Sequence, residues 1–303
     1  MSLYHSMQEL IGNTPLVELT NSGFPEGVNV YAKLELFNPS GSVKDRTGKY
    51  MIEDARQRGV LGPGGTIVEG TAGNTGLGIA FSALGQGYNI KFVVPDKFSD
   101  EKKTLMKALG AEIISSPRSE GMLGAEKRAR ELKDSIDGAV TLDQFKNPAN
   151  PRAHYETTGP EIYKDLDGKV DYLVAGAGSG GTFTGVVRFL KEQNSNIKGI
   201  LADPIGSTIG GGEHGDYSIE GIGNDFIAET MDITLVDEAI KVSDSEAFEG
   251  SRFLARHEGI IAGSSSGAAF AAVRKLVSSG AKGNIVVIFP DRGDRYFSKA
   301  LYQ

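Results

Sequence analysis

The chain has 303 residues, 39% of them apolar and 23% charged, enough for two domains or one large α/β unit with a full core. It contains no cysteine, which excludes disulfides, thiolate nucleophiles, iron–sulfur clusters, Cys-ligated haem and zinc–thiolate sites together. The net charge is −7, with Lys and Arg interspersed among Asp and Glu, so no basic stripe is offered to nucleic acid.

In chain order, short Val- and Ile-rich runs alternate with helical patterns. Strands are expected at 66–68, 90–94, 112–115, 172–175, 199–202 and 285–289, and helices at 46–58, 75–84, 99–109, 123–132, 182–191 and 245–256. This alternation predicts an α/β fold of parallel-rich sheets covered by helices. Residues 145–151 hold two prolines and two asparagines, read as a break in regular structure and a domain seam, with a second seam at 38–41. A cofactor is expected in a cleft between the two domains. The four histidines, His5, His154, His214 and His257, form no His-Glu-x-x-His pair, so no metal is expected. No apolar run reaches membrane-spanning length, and the N-terminus has no basic segment followed by an apolar one; no membrane partner and a cytoplasmic location are expected.

Lys44 follows the small-residue turn Asn38-Pro39-Ser40-Gly41-Ser42-Val43 and opens an amphipathic stretch. A lysine held at the mouth of a turn can be aimed at a ligand, and its amine forms Schiff bases with aldehydes once its charge is suppressed. Four Gly- and Ser-rich loops accompany it. Residues Glu69-Gly70-Thr71-Ala72-Gly73-Asn74-Thr75-Gly76 join a strand to a helix, an anion cradle suited to a carboxylate; a plain helix N-cap is the structural alternative. Residues Gly176-Ala177-Gly178-Ser179-Gly180-Gly181-Thr182 form a second cradle. This loop also satisfies G-x-G-x-x-G, and Asp203 stands near where a dinucleotide fold holds its ribose, so phosphate and dinucleotide (an NAD-dependent oxidoreductase) both remain open on these residues. Residues 220–227 read as a loop near the cleft. In Ala262-Gly263-Ser264-Ser265-Ser266-Gly267, two hydroxyls are expected to cap the Ala-rich helix that follows, and one to meet a ring nitrogen.

Taken together, and in this order, these segments resemble the fold-type II, pyridoxal 5'-phosphate (PLP)-dependent cysteine synthase/cystathionine β-synthase family. The likeness runs from Ile11-Gly12-Asn13-Thr14-Pro15-Leu16 to Asp291-Arg292-Gly293-Asp294-Arg295-Tyr296. It implies a two-domain, tryptophan synthase β-like fold, with residues 1–40 and 149–303 as a large PLP-binding domain and 41–148 as a small mobile one. It also implies that Lys44 carries the cofactor aldehyde, Asn74 holds the phenolic oxygen, Gly178, Ser179, Gly180, Gly181 and Thr182 bind the phosphate, and Ser265 faces the ring nitrogen. Thr71, Ala72, Gly73 and Thr75, with Gln144, correspond to the substrate-carboxylate site, and Gly221 lies against the amino acid. Ala72 departs from the family's usual serine and removes one hydroxyl. The expected partners are an amino-acid substrate, a thiol, a second copy in a homodimer and a serine acetyltransferase.

The implied reaction is β-replacement. Lys44 removes the Cα proton, the β-substituent leaves to give an aminoacrylate, and a thiol adds at Cβ. O-acetyl-L-serine is favoured over serine, because a carboxylate leaves from an acid of pKa about 4 and hydroxide from water of pKa about 15.7. Loop 220–227 and residues 153–158 look closer to cystathionine β-synthases, which favours homocysteine with sulfide also accepted. The 291–296 tail looks closer to bacterial cysteine synthases.

Overall fold

The computed structural model describes residues 3–71, 73–96, 100–299 and 301–303. In chain order the strands are β1 (Leu16–Glu18), β2 (Val28–Leu34), β3 (Thr66–Gly70), β4 (Asn89–Pro95), β5 (Glu112–Ser116), β6 (Tyr172–Gly176), β7 (Lys198–Pro204), β8 (Glu238–Val242) and β9 (Gly283–Phe289). The helices are α1 (Lys44–Gln57), α2 (Asn74–Ala83), α3 (Asp100–Ala108), α4 (Gly121–Asp134), α5 (Ala149–Ala153), α6 (Gly159–Asp165), α7 (Gly181–Gln193), α8 (Asp244–Phe253) and α9 (Ser264–Ser278). None is long and apolar enough to cross a membrane. The chain divides into two compact units. One comprises the chain up to Ile11 with Lys44–Asn150, the other Gly12–Val43 with Pro151–Gln303.

The larger unit is built on a six-stranded sheet in the order β1-β2-β9-β6-β7-β8. All pairs are parallel except the antiparallel edge pair β1–β2. Both faces are covered, so its central strands are apolar at nearly every position, as in Ile285-Val286-Val287-Ile288-Phe289. Val174, Ile285, Val287 and Phe289 pack with Ala268, Phe270 and Val273 of α9. Leu173, Val286 and Ile288 turn the other way, onto Phe183, Val186 and Leu190 of α7. The smaller unit has a parallel three-stranded sheet, β3-β4-β5. Ile67, Phe92 and Val94 face Met51, Ile52 and Leu77 of α1 and α2, while Val68 and Val93 face Ala125 and Ala129 of α4.

Two sequence expectations need correction here. The segment up to Ile11 clusters with the smaller unit, whereas residues 1–40 as a block were expected in the larger. Residues 145–151 do not simply break regular structure. Pro151 lies inside α5, Pro160 occupies the first turn of α6, and a π-helical turn, His154–Thr158, joins the two. Proline is tolerated in a first helical turn because its missing N–H would have no intrahelical partner there.

Candidate active site

The turn before Lys44 is fixed by the larger unit. The Gly41 N–H donates to the Asn38 carbonyl over 2.7 Å, and the Val43 N–H to the Pro290 carbonyl over 2.8 Å. Gly41 has φ of 86°, and a Cβ there would lie 2.6 Å from an Arg295 nitrogen and 2.8 Å from Arg292 Cδ. Left-handed backbone in a crowded turn demands glycine. Lys44 then opens α1, followed by the buried pair Asp45 and Arg46.

Within the smaller unit α1 packs directly on α2, backbone to backbone. A Cβ on Gly48 would lie 2.6 Å from the Gly78 carbonyl carbon; one on Gly78 would lie 2.5 Å from the Lys44 carbonyl carbon. Glycine at both positions lets the helix bearing Lys44 touch the helix opened by loop 71–75. Gly73 is the N-cap of α2 and supplies no side-chain cap, leaving backbone N–H groups for another acceptor. Thr71 and Thr75 are buried at 4% and 8% exposure. The Thr75 hydroxyl donates to Gln144 Oε1 over 2.7 Å, so the loop and the residue expected to share its ligand are in direct contact. Asn74 opens α2. Ala72 lies outside the described residues.

Glu69, the last side chain of β3 before Gly70, was not foreseen as part of the site. Its Oε1 accepts the N–H groups of Leu142 and Asp143, the latter over 3.0 Å. Burial, helped by the nearby Asp143 and Glu126 carboxylates and opposed by these two hydrogen bonds, pushes its pKa up to about 7.

In the larger unit, loop 176–182 leaves β6 and opens α7. Its N-cap, Gly180, is left-handed (φ 79°, ψ −10°) and makes no side-chain cap bond, and a Cβ there would lie 2.7 Å from the Met231 sulfur. The loop is held from outside. A Cβ on Gly178 would meet the Gly221 carbonyl at 2.7 Å. The Asn224 amide donates to the Gly178 carbonyl over 2.8 Å, the Gly223 N–H to the Ala177 carbonyl over 2.8 Å, and the Thr230 hydroxyl to the Ser179 carbonyl over 2.6 Å. The carbonyls are thus turned outward onto partners, which suits a loop whose N–H groups serve an anion. Thr182 Oγ1 lies 3.2 Å from His154 Nε2, and His154 Nδ1 lies 2.9 Å from Thr158 Oγ1.

Loop 220–223 also reaches the start of α9, where the Glu220 N–H donates to Ser264 Oγ over 3.1 Å. The expectation that two serines cap this helix is corrected. Gly263 is the N-cap and no side chain caps it. Ser265 is 3% exposed, and among the described residues no hydrogen bond engages its hydroxyl. The dinucleotide alternative loses its acidic residue. Asp203 is fully buried, with Oδ2 accepting from Lys241 Nζ over 2.5 Å and from the Gly210 N–H over 2.9 Å.

Comparison with known proteins bears on this geometry. The family described as "Pyridoxal-phosphate dependent enzyme" matches residues 7–291. The O-acetylserine dependent cystathionine beta-synthase of Bacillus subtilis (strain 168) is 49% identical over 304 residues, covering 100% of this chain and 99% of that protein. A cysteine synthase of Helicobacter pylori (strain ATCC 700392 / 26695) is 45% identical with 100% of both chains covered. The crystal structure of the O-acetylserine dependent cystathionine beta-synthase from Helicobacter pylori superposes with a TM-score of 0.95 at 44% identity, again over 100% of both chains. The residues fit pyridoxal phosphate: an uncapped, left-handed glycine turn at a helix N-terminus suits the phosphate, and the unengaged hydroxyl of buried Ser265 suits a ring nitrogen. From residue 7 to residue 291, therefore, this chain is a member of the pyridoxal-phosphate dependent enzyme family.

Proposed function

We propose that the protein catalyses β-replacement on O-acetyl-L-serine, with homocysteine as the thiol that gives L-cystathionine and sulfide as a second nucleophile that gives L-cysteine. The observation that carries this is the backbone contact of α1 with α2 at Gly48 and Gly78. It sets the helix opened by Lys44 against the helix that follows Thr71 and Gly73 and begins with Asn74 and Thr75, within one unit, which supports reading Lys44 as a base beside an amino-acid carboxylate site.

Pyridoxal phosphate, when bound, supplies the electron-withdrawing ring that makes the substrate's Cα proton removable. With the cofactor bound, Lys44 would hold its aldehyde, and the freed Lys44 amine would take the substrate's Cα proton as general base and return it after the thiol has added at Cβ. Thr71, Ala72, Gly73, Thr75 and Gln144 hold the substrate carboxylate, and Gly221 lies against the amino acid. Asn74 holds the phenolic oxygen. Gly178, Ser179, Gly180, Gly181 and Thr182 hold the phosphate, mostly through backbone N–H groups at the start of α7. Ser265 meets the ring nitrogen with a neutral hydroxyl. A ring nitrogen facing a neutral hydroxyl would stay unprotonated, and the ring would then withdraw less charge than a pyridinium paired with a carboxylate, which favours loss of a β-substituent over transamination.

The donor follows from leaving-group chemistry: acetate departs unaided, whereas hydroxide needs a proton delivered as it leaves. The Bacillus subtilis relative supports homocysteine as the thiol. The Helicobacter pylori cysteine synthase supports a second reading, a dedicated sulfide enzyme. A homodimer and docking of a serine acetyltransferase complete the proposal, tested by sizing the protein alone and with the acetyltransferase. The deciding measurement is kcat/KM for homocysteine and sulfide, each paired with O-acetylserine and with serine. O-acetylserine is expected to exceed serine by at least about 100-fold, equivalent to about 2.7 kcal/mol of transition-state stabilisation. Turnover with sulfide alone would select the second reading; turnover with neither thiol would overturn both.

A further inference from the structure

One carboxylate of the smaller unit has no part in the scheme above, yet its partners lie on the segment that presents Gln144. Strand β3 is flanked beyond its sheet by a single parallel bridge to Val140, in which the Val68 N–H donates to the Val140 carbonyl and the Val140 N–H to the Thr66 carbonyl, both over 2.9 Å. The chain then turns away. Asp143 has φ of 48°, left-handed for a residue that carries a Cβ. The Lys146 and Asn147 N–H groups close the turn onto the Asp143 carbonyl over 3.0 and 2.8 Å, and the Asn147 amide donates to the Leu142 carbonyl over 2.8 Å. Past the bridge, the Glu69 side chain takes over: its Oε1 receives the N–H groups of Leu142 and Asp143. Gln144 comes next, accepting the Thr75 hydroxyl on its side chain and the Asn150 amide on its carbonyl, over 2.7 and 2.8 Å.

We propose that Glu69 is a positioning residue for amino-acid binding: its carboxylate clamps the turn at 142–143 to the end of β3, and so holds Gln144 within reach of Thr75 and of the substrate carboxylate. The inference rests on the reading of Thr71, Gly73, Thr75 and Gln144 as the carboxylate site. Glu69 touches neither substrate nor cofactor in this role; it acts through Gln144. The charges around it explain why the arrangement is tuned for hydrogen bonding rather than ion pairing. Its charged neighbours are Asp143 on the clamped turn and Glu126 on α4, whose backbone lies 2.8 Å from where a Gly70 Cβ would stand. Arg130 faces Glu126 at 3.5 Å. With its pKa near 7, Glu69 spends much of its time protonated at neutral pH, and a protonated carboxyl still offers a carbonyl oxygen to both N–H groups. Glutamine reproduces that state; alanine removes the acceptor.

The test uses the holoenzyme. Glu69→Ala is expected to raise KM for O-acetylserine about 5- to 10-fold, no more than loss of the Gln144 side chain, while KM for the thiol and the cofactor absorbance at saturation stay within about twofold. Glu69→Gln is expected to stay within about threefold of wild type on every count, a rescue that a merely space-filling role would not need to distinguish from Glu69→Leu. If Glu69→Ala does not fold, Glu69→Asp, which withdraws the acceptor by one methylene, carries the same expectation. Unchanged KM for O-acetylserine in the alanine or aspartate variant overturns the proposal. So does a glutamine variant as impaired as the alanine one. Thr75→Val and Gln144→Leu separate this from the underlying reading: if they too leave KM unchanged, the carboxylate site itself is misassigned, whereas if they raise KM and Glu69→Ala does not, only the clamp fails.

Discussion

The Thr75 hydroxyl and the Gln144 side chain meet at 2.7 Å, joining the first turn of α2 to a segment 69 residues further along the chain. Thr75 belongs to the turn whose N–H groups no side chain caps, so the contact orients two polar groups at that turn before any substrate arrives. Preorganisation of this kind lowers the entropy lost on binding. Thr75→Val and Gln144→Leu should each raise KM for the amino-acid substrate about tenfold, near 1.4 kcal/mol. Combined, they should cost less than the sum, with a coupling of about 1 kcal/mol in a double-mutant cycle. Strict additivity would show that the two side chains bind substrate independently.

Gly78 carries a different constraint. A Cβ there would stand 2.5 Å from the Lys44 carbonyl carbon and 3.0 Å from the Asp45 nitrogen, and backbone atoms cannot yield as a flexible side chain would. Gly78→Ala gains helix propensity of up to about 1 kcal/mol, yet the clash should outweigh it and leave a net loss of about 1–3 kcal/mol. Because the displaced atoms belong to Lys44 and Asp45, the alanine variant should also form its lysine–cofactor absorbance band more weakly at a given cofactor concentration. Equilibrium denaturation and a cofactor titration check the two halves. A variant as stable as wild type would mean that α1 can shift along α2 freely.

The elements that position the site were legible to unequal degrees. Strands β3, β4, β5, β6, β7 and β9 announced themselves as short runs, most of them rich in Val or Ile, ending in Gly, Pro or a turn. β2 did not, because a core position on it is occupied by Lys33. This lysine is fully buried, donating to the Thr14 carbonyl over 2.7 Å and pairing with Glu161 at 2.9 Å. β1 is too short, at three residues, to show a period. Glycine loops were readable because their chemistry is local: a strand, a turn, a helix start. Glu69, Asn224 and His154 were not, since each reaches its partner across a long stretch of chain, 74 residues from Glu69 to Asp143 and 46 from Gly178 to Asn224. The only local hint for Glu69 was its place immediately before the Gly70-Thr71 loop.

Asn224 gives a test of how far the glycine loop depends on its backing. Its amide is the donor to the Gly178 carbonyl, and its own backbone is fixed in turn: the N–H donates to Ser207 Oγ and the carbonyl accepts the Ser207 hydroxyl, both over 3.1 Å. Removing the amide frees a carbonyl next to the N–H groups assigned to phosphate. Asn224→Ala should weaken pyridoxal-phosphate binding to the apoenzyme about 5- to 10-fold, on the order of 1 kcal/mol, with global stability changed less. Fluorescence titration with the cofactor measures it. Affinity equal to wild type would mean that the Gly223–Ala177 and Thr230–Ser179 bonds suffice to hold the loop.

The raised pKa of Glu69 makes a prediction about stability that is independent of catalysis. Its carboxyl moves from 4.5 to about 7 on folding, mainly through burial. Below about 4.5 both states are protonated and the group is neutral in the balance; between about 4.5 and 7 the native state holds a proton that the unfolded state has released, so stability falls as pH rises; above about 7 the loss is complete. Glu69→Gln keeps the acceptor oxygen and cannot ionise, so it lacks this slope. Other titrating groups contribute to both proteins and largely cancel in the difference. The exceptions are Asp143 and Glu126, whose repulsion by a charged Glu69 acts in the same direction. At one unit per about 1.4 kcal/mol, and with allowance for partial solvent screening, the glutamine variant should match wild type at pH 4.5 and exceed it by on the order of 2 kcal/mol at pH 8. Urea denaturation across that range reads the difference directly. Parallel curves would show that Glu69 is solvated like an ordinary surface carboxylate, and a difference growing toward acid pH would show that it is held ionised by a cation.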